Sequence, residues 1–105
     1  MNTFGKIYIF VDDIRNPNHI PVGMDCTICR DYMAAVSELK KYIGSGSEII
    51  IDFDHDLGQK RSGYDIAKWI IEKDYPNIRF KIHSMNPVGC RNIRELLTHY
   101  GYKEI

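Results

Sequence analysis

Apolar runs alternate along the chain with segments whose apolar residues recur at helical spacing. Four of the runs predict β-strands, at residues 6–11, 25–30, 48–53 and 78–83. The run at 48–53 is nearly continuous in isoleucine, which is typical of a strand that is covered on both faces of a sheet. The alternation of strands with helical segments therefore predicts an α/β protein.

Two helices are predicted between these strands. The first spans about 32–43, where Asp31 can cap its start and Gly44 can end it. The second begins near Ser62, at the start of a Ser-Gly-Tyr-Asp stretch that resembles a capping box. Pro76 ends the second segment, because proline cannot continue a helix.

A third helix is predicted after the fourth strand. Asn86-Pro87 matches an N-cap that is followed by proline at the first helical position, and Gly101 can stop the helix. Residues 102–105 suit either a short edge strand or a frayed end. Residues 14–24 contain two prolines and a glycine, so we interpret them as a loop.

This order of elements predicts one domain over residues 1–105, with a doubly wound parallel sheet and helices on both faces. We expect the flavodoxin-like strand order 2-1-3-4, extended to 2-1-3-4-5 if the tail pairs. The link between the first two strands has no helical pattern. The first helix of such a fold is therefore expected to be degenerate here.

The charges are balanced, with 14 basic and 14 acidic residues, so no overall field favours nucleic acid or membrane surfaces. No apolar run approaches the roughly 20 residues needed to cross a bilayer, and the first residues do not resemble a signal peptide. The odd number of cysteines, 3 in all, favours a reducing, cytoplasmic setting. Cys26 and Cys29 form a C-x-x-C pattern, but in a strand they face opposite sides, which favours packing over metal or redox chemistry.

Polar side chains cluster at the carboxyl ends of three of the predicted strands. They are Asp12 and Asp13 at the end of the first, Asp52, Asp54, His55 and Asp56 at the end of the third, and His83, Ser84 and Asn86 at the end of the fourth. The first and third strands are neighbours in the predicted order, and ligands of open parallel sheets bind at this edge. Carboxylates that converge there cannot all ionise without a counter-charge. Oxygen ligands suit Mg²⁺, Mn²⁺ or Ca²⁺.

The same edge offers groups for an anion. The third helix is expected to point its N-terminal N–H groups at the crevice, a favourable place for phosphate, and Gly89 removes a side chain where a phosphate would approach. Arg15, Lys60 and Arg61 are nearby cations. Acids for a metal, together with basic groups for an anion, indicate metal-assisted phosphoryl chemistry.

Each of these residues also has a purely structural interpretation. A single Asp after a strand is more often part of a turn, although the adjacent pair and the D-x-D-H-D pattern together favour a site. Ser62 and Asn86 are more often helix caps. His83 suits a buried core histidine as well as it suits a site, and Arg61 suits a solvated loop.

The acidic strand ends resemble those of response-regulator receiver domains. FVDD at 10–13 resembles the acidic pair that holds Mg²⁺ in that family, and IIID at 49–52 resembles the strand that ends in the phosphate-accepting Asp. Ser84 is placed like the Ser or Thr at the end of their fourth strand. Lys103 lies too early to replace the lysine of their fifth strand, so the resemblance is to a truncated receiver-like fold.

A closer resemblance is to the cyclic-phosphate-processing receiver-like domains, a divergent group of receiver relatives. Their pattern is DD-x-R, then D-x-DHDLG with a following Gly and Asp, then HS-x-N-P-x-G-x-x-N. The matching residues are Asp12, Asp13, Arg15, Asp52, Asp54, His55, Asp56, Leu57, Gly58, Gly63, Asp65, His83, Ser84, Asn86, Pro87, Gly89 and Asn92. The resemblance covers nearly the whole chain and implies a receiver-like fold.

The resemblance also implies a metal-dependent phosphoesterase that acts on small cyclic phosphates, nucleotides or RNA ends, with Mg²⁺ or Mn²⁺ as cofactor. The metal ligands would be Asp12, Asp13, Asp52 and Asp54, the catalytic residues His55, His83, Asp56 and Arg15, and the substrate contacts Ser84, Asn86, Gly89, Asn92 and Arg61. Asn92 suits the surface of the last helix equally well, and the choice between Asp52 and Asp54 as inner ligand depends on strand register. The alternative is a non-catalytic receiver-like module that signals or binds phosphate or Mg²⁺.

Overall fold

A computed structural model describes residues 5–105 as a five-stranded parallel sheet flanked by three helices. The strands are β1 Lys6–Val11, β2 Asp25–Cys29, β3 Glu48–Phe53, β4 Ile78–Ile82 and β5 Lys103–Glu104. Their order is β2-β1-β3-β4-β5, and every neighbouring pair is parallel. The predicted strand order and the receiver-like fold class are confirmed, and the tail forms a short fifth strand.

The helices are α1 Tyr32–Tyr42, α2 Gly63–Glu72 and α3 Pro87–His99. Each begins at the predicted cap: Asp31 accepts from Ala34 N at 2.8 Å, Ser62 opens a reciprocal capping box, and Asn86 accepts from Gly89 N at 2.9 Å. In the part of the chain that the structure describes, no helix is long and apolar enough to cross a membrane.

All three helices pack on one face of the sheet. Strand residues such as Ile9, Ile51 and Phe80 share one buried core with Leu39 of α1 and Ile93 of α3. The connections from β2 to β3, from β3 to β4 and from β4 to β5 all run in the same direction across the sheet. Since such crossovers are right-handed, they place their helices on the same side.

The second face of the sheet, called here the helix-free face, lies under the link from β1 to β2. This link runs in the opposite direction across the sheet and contains no helix. Tyr8, Phe10 and Ile50 form a smaller buried cluster there, with Met24 and Cys26 packed against it. The expected loss of the first helix is confirmed. The expectation of helices on both faces is met on one face only, because the crossover that would cover the second face is a loop.

Replacing Asp65 with Asn is expected to destabilise the domain by about 1 kcal/mol at pH 7. Ser62 N–H donates to the Asp65 carboxylate at 2.7 Å, which lowers the pKa of Asp65. The contribution is therefore present above the ordinary pKa of about 4 and is lost as pH falls through the folded value. Urea unfolding at pH 7 and pH 3 measures it, and the difference should shrink at pH 3. Glu72→Gln, an exposed change on the same helix, is the control, and an equal loss in both variants would contradict the capping role.

Candidate functional site

The carboxyl ends of β1, β3 and β4 bring three polar residues to one edge of the sheet. The backbone pairing continues beyond the strands, since Asp54 N–H donates to the Val11 carbonyl at 2.8 Å and His83 N–H donates to the Phe53 carbonyl at 2.9 Å. Asp12 directly follows Val11 in the chain and therefore lies at the same edge of the sheet as Asp54 and His83. As a result, one ligand atom from each of Asp12, Asp54 and His83 lies within 4.8 Å of the others.

Asp12 and Asp54 are buried carboxylates, with exposed fractions of 1% and 6%. Arg15 bridges them: its Nε lies 3.1 Å from Asp12 Oδ2, and its Nη2 lies 3.4 Å from Asp54 Oδ2. An open cavity of about 510 Å³ lies over this group, and Asp13 and Asp56 also line it. Two buried carboxylates beside an open cavity are a donor set that suits a hard divalent cation.

Asp52 points to the helix-free face and belongs to a hydrogen-bonded chain beneath the acidic pair. Tyr8 donates its hydroxyl to Asp52 Oδ2 at 2.5 Å, and His83 Nδ1 lies 2.6 Å from Asp52 Oδ1. His83 Nε2 lies 2.9 Å from Asp12 Oδ2, and its ring stacks on Phe10 at 4.5 Å. This chain, Tyr8–Asp52–His83–Asp12, couples the helix-free face to the edge at which Asp12 lies.

The charges of this chain follow from its contacts. Burial lowers the pKa of His83, but the hydrogen bonds and negative charges of Asp52 and Asp12 outweigh burial and raise it. Burial raises the pKa of Asp12, but bonds from backbone N–H groups, including that of Arg15, and from His83 outweigh burial and lower it. Burial and the bond to Asp52 raise the pKa of Tyr8, which stays a neutral donor. The two carboxylates therefore favour the protonated form of His83.

The second histidine, His55, lies against the first turn of α3. Its Nδ1 is 2.9 Å from Asp56 Oδ1, and Asn86 Nδ2 donates to Asp56 Oδ2 at 3.3 Å. A Cβ on Gly89 would lie only 2.4 Å from the His55 ring. The expectation that Gly89 leaves room for a phosphate is therefore corrected: the room is taken by the imidazole.

Gly89→Ala is expected to destabilise the domain by about 2 kcal/mol, because the new methyl overlaps the His55 ring. Truncating the ring in Gly89→Ala/His55→Ala should recover most of this loss. Gly63→Ala is the matched contrast, since its Cβ would lie 2.3 Å from the backbone carbonyl oxygen of Asp54, and His55→Ala should not rescue it. Denaturant unfolding of the single and double variants measures these free energies, and additive losses for Gly89 and His55 would refute the contact.

Of two further predicted site residues, Asp13 lies beside the acidic group and Arg61 does not. Asp13 lines the same cavity and sits close to Gly58, whose φ of +65° places its backbone in the left-handed region. Arg61 lies apart from the acids: its guanidinium is 4.5 Å from the centre of the Tyr32 ring, at a separate surface cavity. The expectation that Arg61 contacts the substrate is therefore not supported by its position, because the ring of Tyr32 holds it elsewhere.

The remaining predicted contacts belong to α3. Ser84 Oγ accepts from Asn86 N at 3.1 Å, so both residues shape the turn that leads into the helix. Asn86 caps the helix through its Oδ1. Asn92 is exposed on α3, whereas Gly89, one turn earlier, is buried. The surface interpretation of Asn92 fits this position better than a place in the cavity.

A comparison with protein families matches residues 7–99 to the cyclic-phosphate processing receiver domain. No curated protein and no solved structure matches the chain. The matched range contains β2 to β4, all three helices and every acidic strand end described above. The resemblance that the motifs indicated is confirmed. The chain therefore belongs to the family of cyclic-phosphate processing receiver domains.

Proposed function

We propose that this domain is a divalent-metal-dependent phosphoesterase that acts on a cyclic phosphate, carried by a nucleotide or by an RNA end. The observation that supports this most directly is the meeting of Asp12, Asp54 and His83 within 4.8 Å beside an open cavity. The family is associated with cyclic-phosphate processing. A buried acidic group at a cavity is what hydrolysis of a phosphate ester with metal assistance requires.

Asp12 and Asp54 are the residues that would hold the metal, Mg²⁺ or Mn²⁺. Their oxygens suit a hard cation, and the hydrogen bond from Asp54 N–H to the Val11 carbonyl keeps the two residues close together. When bound, such a cation supplies a positive charge that stabilises the developing charge on phosphate oxygens. Asp13, at the rim of the same cavity, is a further oxygen donor. Asp52 takes the role of a partner that orients His83, because Tyr8 and His83 already bind both of its oxygens.

His55 is the residue that we assign to proton transfer. The hydrogen bond from His55 lowers the pKa of the exposed Asp56 carboxyl, so Asp56 is ionised at neutral pH and favours the proton on His55 Nδ1. The other ring nitrogen, Nε2, then keeps a lone pair and makes no hydrogen bond among residues 5–105. An imidazole oriented in this way serves as a general base and, once protonated, as a general acid.

Arg15 has two functions in this proposal. Its single positive charge offsets part of the charge of Asp12 and Asp54 when no metal ion is bound. Because its side chain is half-exposed and faces the cavity, it can turn toward the phosphate of a substrate instead. The N-terminus of α3 adds a favourable field for the same anion.

A non-catalytic receiver-like module is the second candidate. Arg15 and His83 contact the acidic pair without a metal, which favours a site that is stable without turnover. Such a module would bind phosphate or accept a phosphoryl group, and it would release no product.

Turnover separates the two candidates. The domain is incubated with Mg²⁺ or Mn²⁺ and with 2′,3′-cyclic nucleotides, 3′,5′-cyclic nucleotides and RNA that ends in a cyclic phosphate. We expect hydrolysis of at least one substrate and a loss of about 10²- to 10⁴-fold in His55→Ala. His99→Ala, an exposed change on α3, should retain full activity. A stable adduct with acetyl phosphate, with no product from any substrate, would favour the module and refute the enzyme.

A further inference from the structure

A second cavity, of about 260 Å³, lies on the helix-free face. Residues 16–19 of the β1–β2 link form one side of it, and Phe10, Lys81 and His83 line it from the sheet. Arg15 lines this cavity and also the cavity of about 510 Å³ over the acidic group. The two cavities therefore meet at one arginine, and a ligand long enough to pass Arg15 can occupy both.

Three basic residues, called here the basic row, extend from this cavity across the helix-free face: Lys81, Arg79 and Lys103. Lys81 and Arg79 point to the same face of β4, and Arg79 pairs in register with Lys103 of β5. All three are exposed, and within residues 5–105 none of them forms an ion pair. From His83 to Lys103 the row spans about 14 Å, given the rise and spacing of strands. One nucleotide is too short to follow that length.

The carboxylates of Glu48 and Asp52 on this face form no ion pair with the basic row. Glu48 lines a surface cavity together with Arg79 and Lys103, but its ion pair, at 3.9 Å, is with Lys6. Both oxygens of the buried Asp52 are bound by Tyr8 and His83. The helix-free face is therefore positive between β4 and β5, although the chain as a whole has a net charge of +0. Its same-face residues are about 7 Å apart along a strand, close to the spacing of phosphates in an extended single strand.

We propose that the helix-free face binds the sugar–phosphate backbone of a single-stranded nucleic acid. Arg79, Lys81 and Lys103 contact successive phosphates, and the cavity at Phe10 receives the terminal nucleotide. The placement of the nucleic-acid end beside Arg15 rests on the proposed function, whereas binding of the sugar–phosphate backbone does not. The substrate is then a nucleic-acid end, and a free cyclic mononucleotide lacks the contacts to the basic row.

The test measures binding without turnover. A fluorescein-labelled ten-nucleotide RNA with an ordinary 3′-hydroxyl is titrated by anisotropy in EDTA over a range of salt concentrations. Three phosphate contacts predict a slope of log K against log salt of about −2. The variant Arg79→Gln/Lys81→Gln/Lys103→Gln should bind at least tenfold more weakly, with a slope near zero. The control Lys40→Gln/Lys41→Gln/Lys73→Gln removes three exposed charges that lie outside the basic row and should bind like the wild type.

Equal binding by the wild type and the basic-row variant would overturn the proposal, as would an equal loss in the control. Competition by an acidic decapeptide as strong as that by RNA would also overturn it, in favour of a protein partner. RNA binding that depends on the basic row, in a protein that hydrolyses no cyclic phosphate, would leave this inference standing and refute the proposed function. Hydrolysis of a cyclic mononucleotide without RNA binding would support the proposed function and refute this inference.

Discussion

Asp54→Asn is expected to weaken Mn²⁺ binding by more than about 100-fold, whereas Asp52→Asn weakens it by about tenfold or less. Ligand atoms of Asp54, Asp12 and His83 lie within 4.8 Å of one another beside the open cavity, so the change would remove a proposed direct ligand. Within residues 5–105, the Asp52 carboxylate forms side-chain hydrogen bonds only with His83 and Tyr8, so its loss disturbs the orientation of His83. The same Asp52→Asn change is expected to lower turnover by 10- to 100-fold, as loss of an orienting partner does.

Titration calorimetry and the electron paramagnetic resonance signal of free Mn²⁺ measure these affinities. The shift in melting temperature with added Mn²⁺ gives a second readout, because a ligand that binds only the folded state stabilises it in proportion to occupancy. Glu95→Gln, an exposed change on α3, controls for the lost charge. A stronger metal defect in Asp52→Asn than in Asp54→Asn would reverse the assignment of these two residues.

Much of the fold followed from the alternation of strands and helical segments, since parallel strands joined by right-handed crossovers allow few arrangements. The distribution of the helices over the two faces of the sheet did not follow, because it depends on the direction in which each crossover runs across the sheet as well as on the alternation of elements. The three helical crossovers run the same way from β2 to β5, and the one reversed link has no helix. The absence of a helical pattern at 14–24 was therefore the signal that one face would be without helices.

The acidic site was predictable in outline because strand ends meet at one edge of a parallel sheet. The pairing register of β1 with β3 was not predictable. This register decides which of Asp52 and Asp54 lies beside Asp12 at the edge of the sheet. Phe10 pairs with Asp52, so Asp52 lies one step inside the edge, on the helix-free face. Tyr8 was missed for the same reason: its alternation with Phe10 put both on one face, but only the pairing with β3 shows that its hydroxyl reaches Asp52.

Gly89 illustrates a different limit of sequence reasoning. A glycine in the first turn of a helix indicates that something approaches the backbone closely, but the sequence does not say what. Here it is the ring of His55, which lies 34 positions earlier in the chain and packs where a Cβ would be. Long-range packing of this kind depends on the path of the loop after β3, which no local pattern encodes.

His83→Gln is expected to destabilise the domain by about 3 kcal/mol near pH 6, because it leaves the buried Asp52 without a cation and leaves Asp12 with Arg15 alone. Asp12 and Asp52 raise the pKa of His83 despite its burial. A raised pKa means that the stabilisation is fully present below the ordinary value of about 6.5 and is lost as pH rises through the folded value. As pH falls below the ordinary Asp value of about 4, the difference should fall again through the lowered folded pKa of Asp12, because a protonated Asp12 has no charge to pair.

Urea unfolding in EDTA at several pH values from 3 to 9 measures this profile, and glutamine retains an amide donor while removing the titratable charge. The free-energy difference between wild type and His83→Gln should pass through a maximum between about pH 4.5 and 6.5. His99→Gln, at an exposed position, should differ from wild type by less than about 0.5 kcal/mol throughout. A difference for His83→Gln that does not change with pH would mean that His83 packs on Phe10 as a neutral ring. Arg15 would then be the cation that pairs with Asp12.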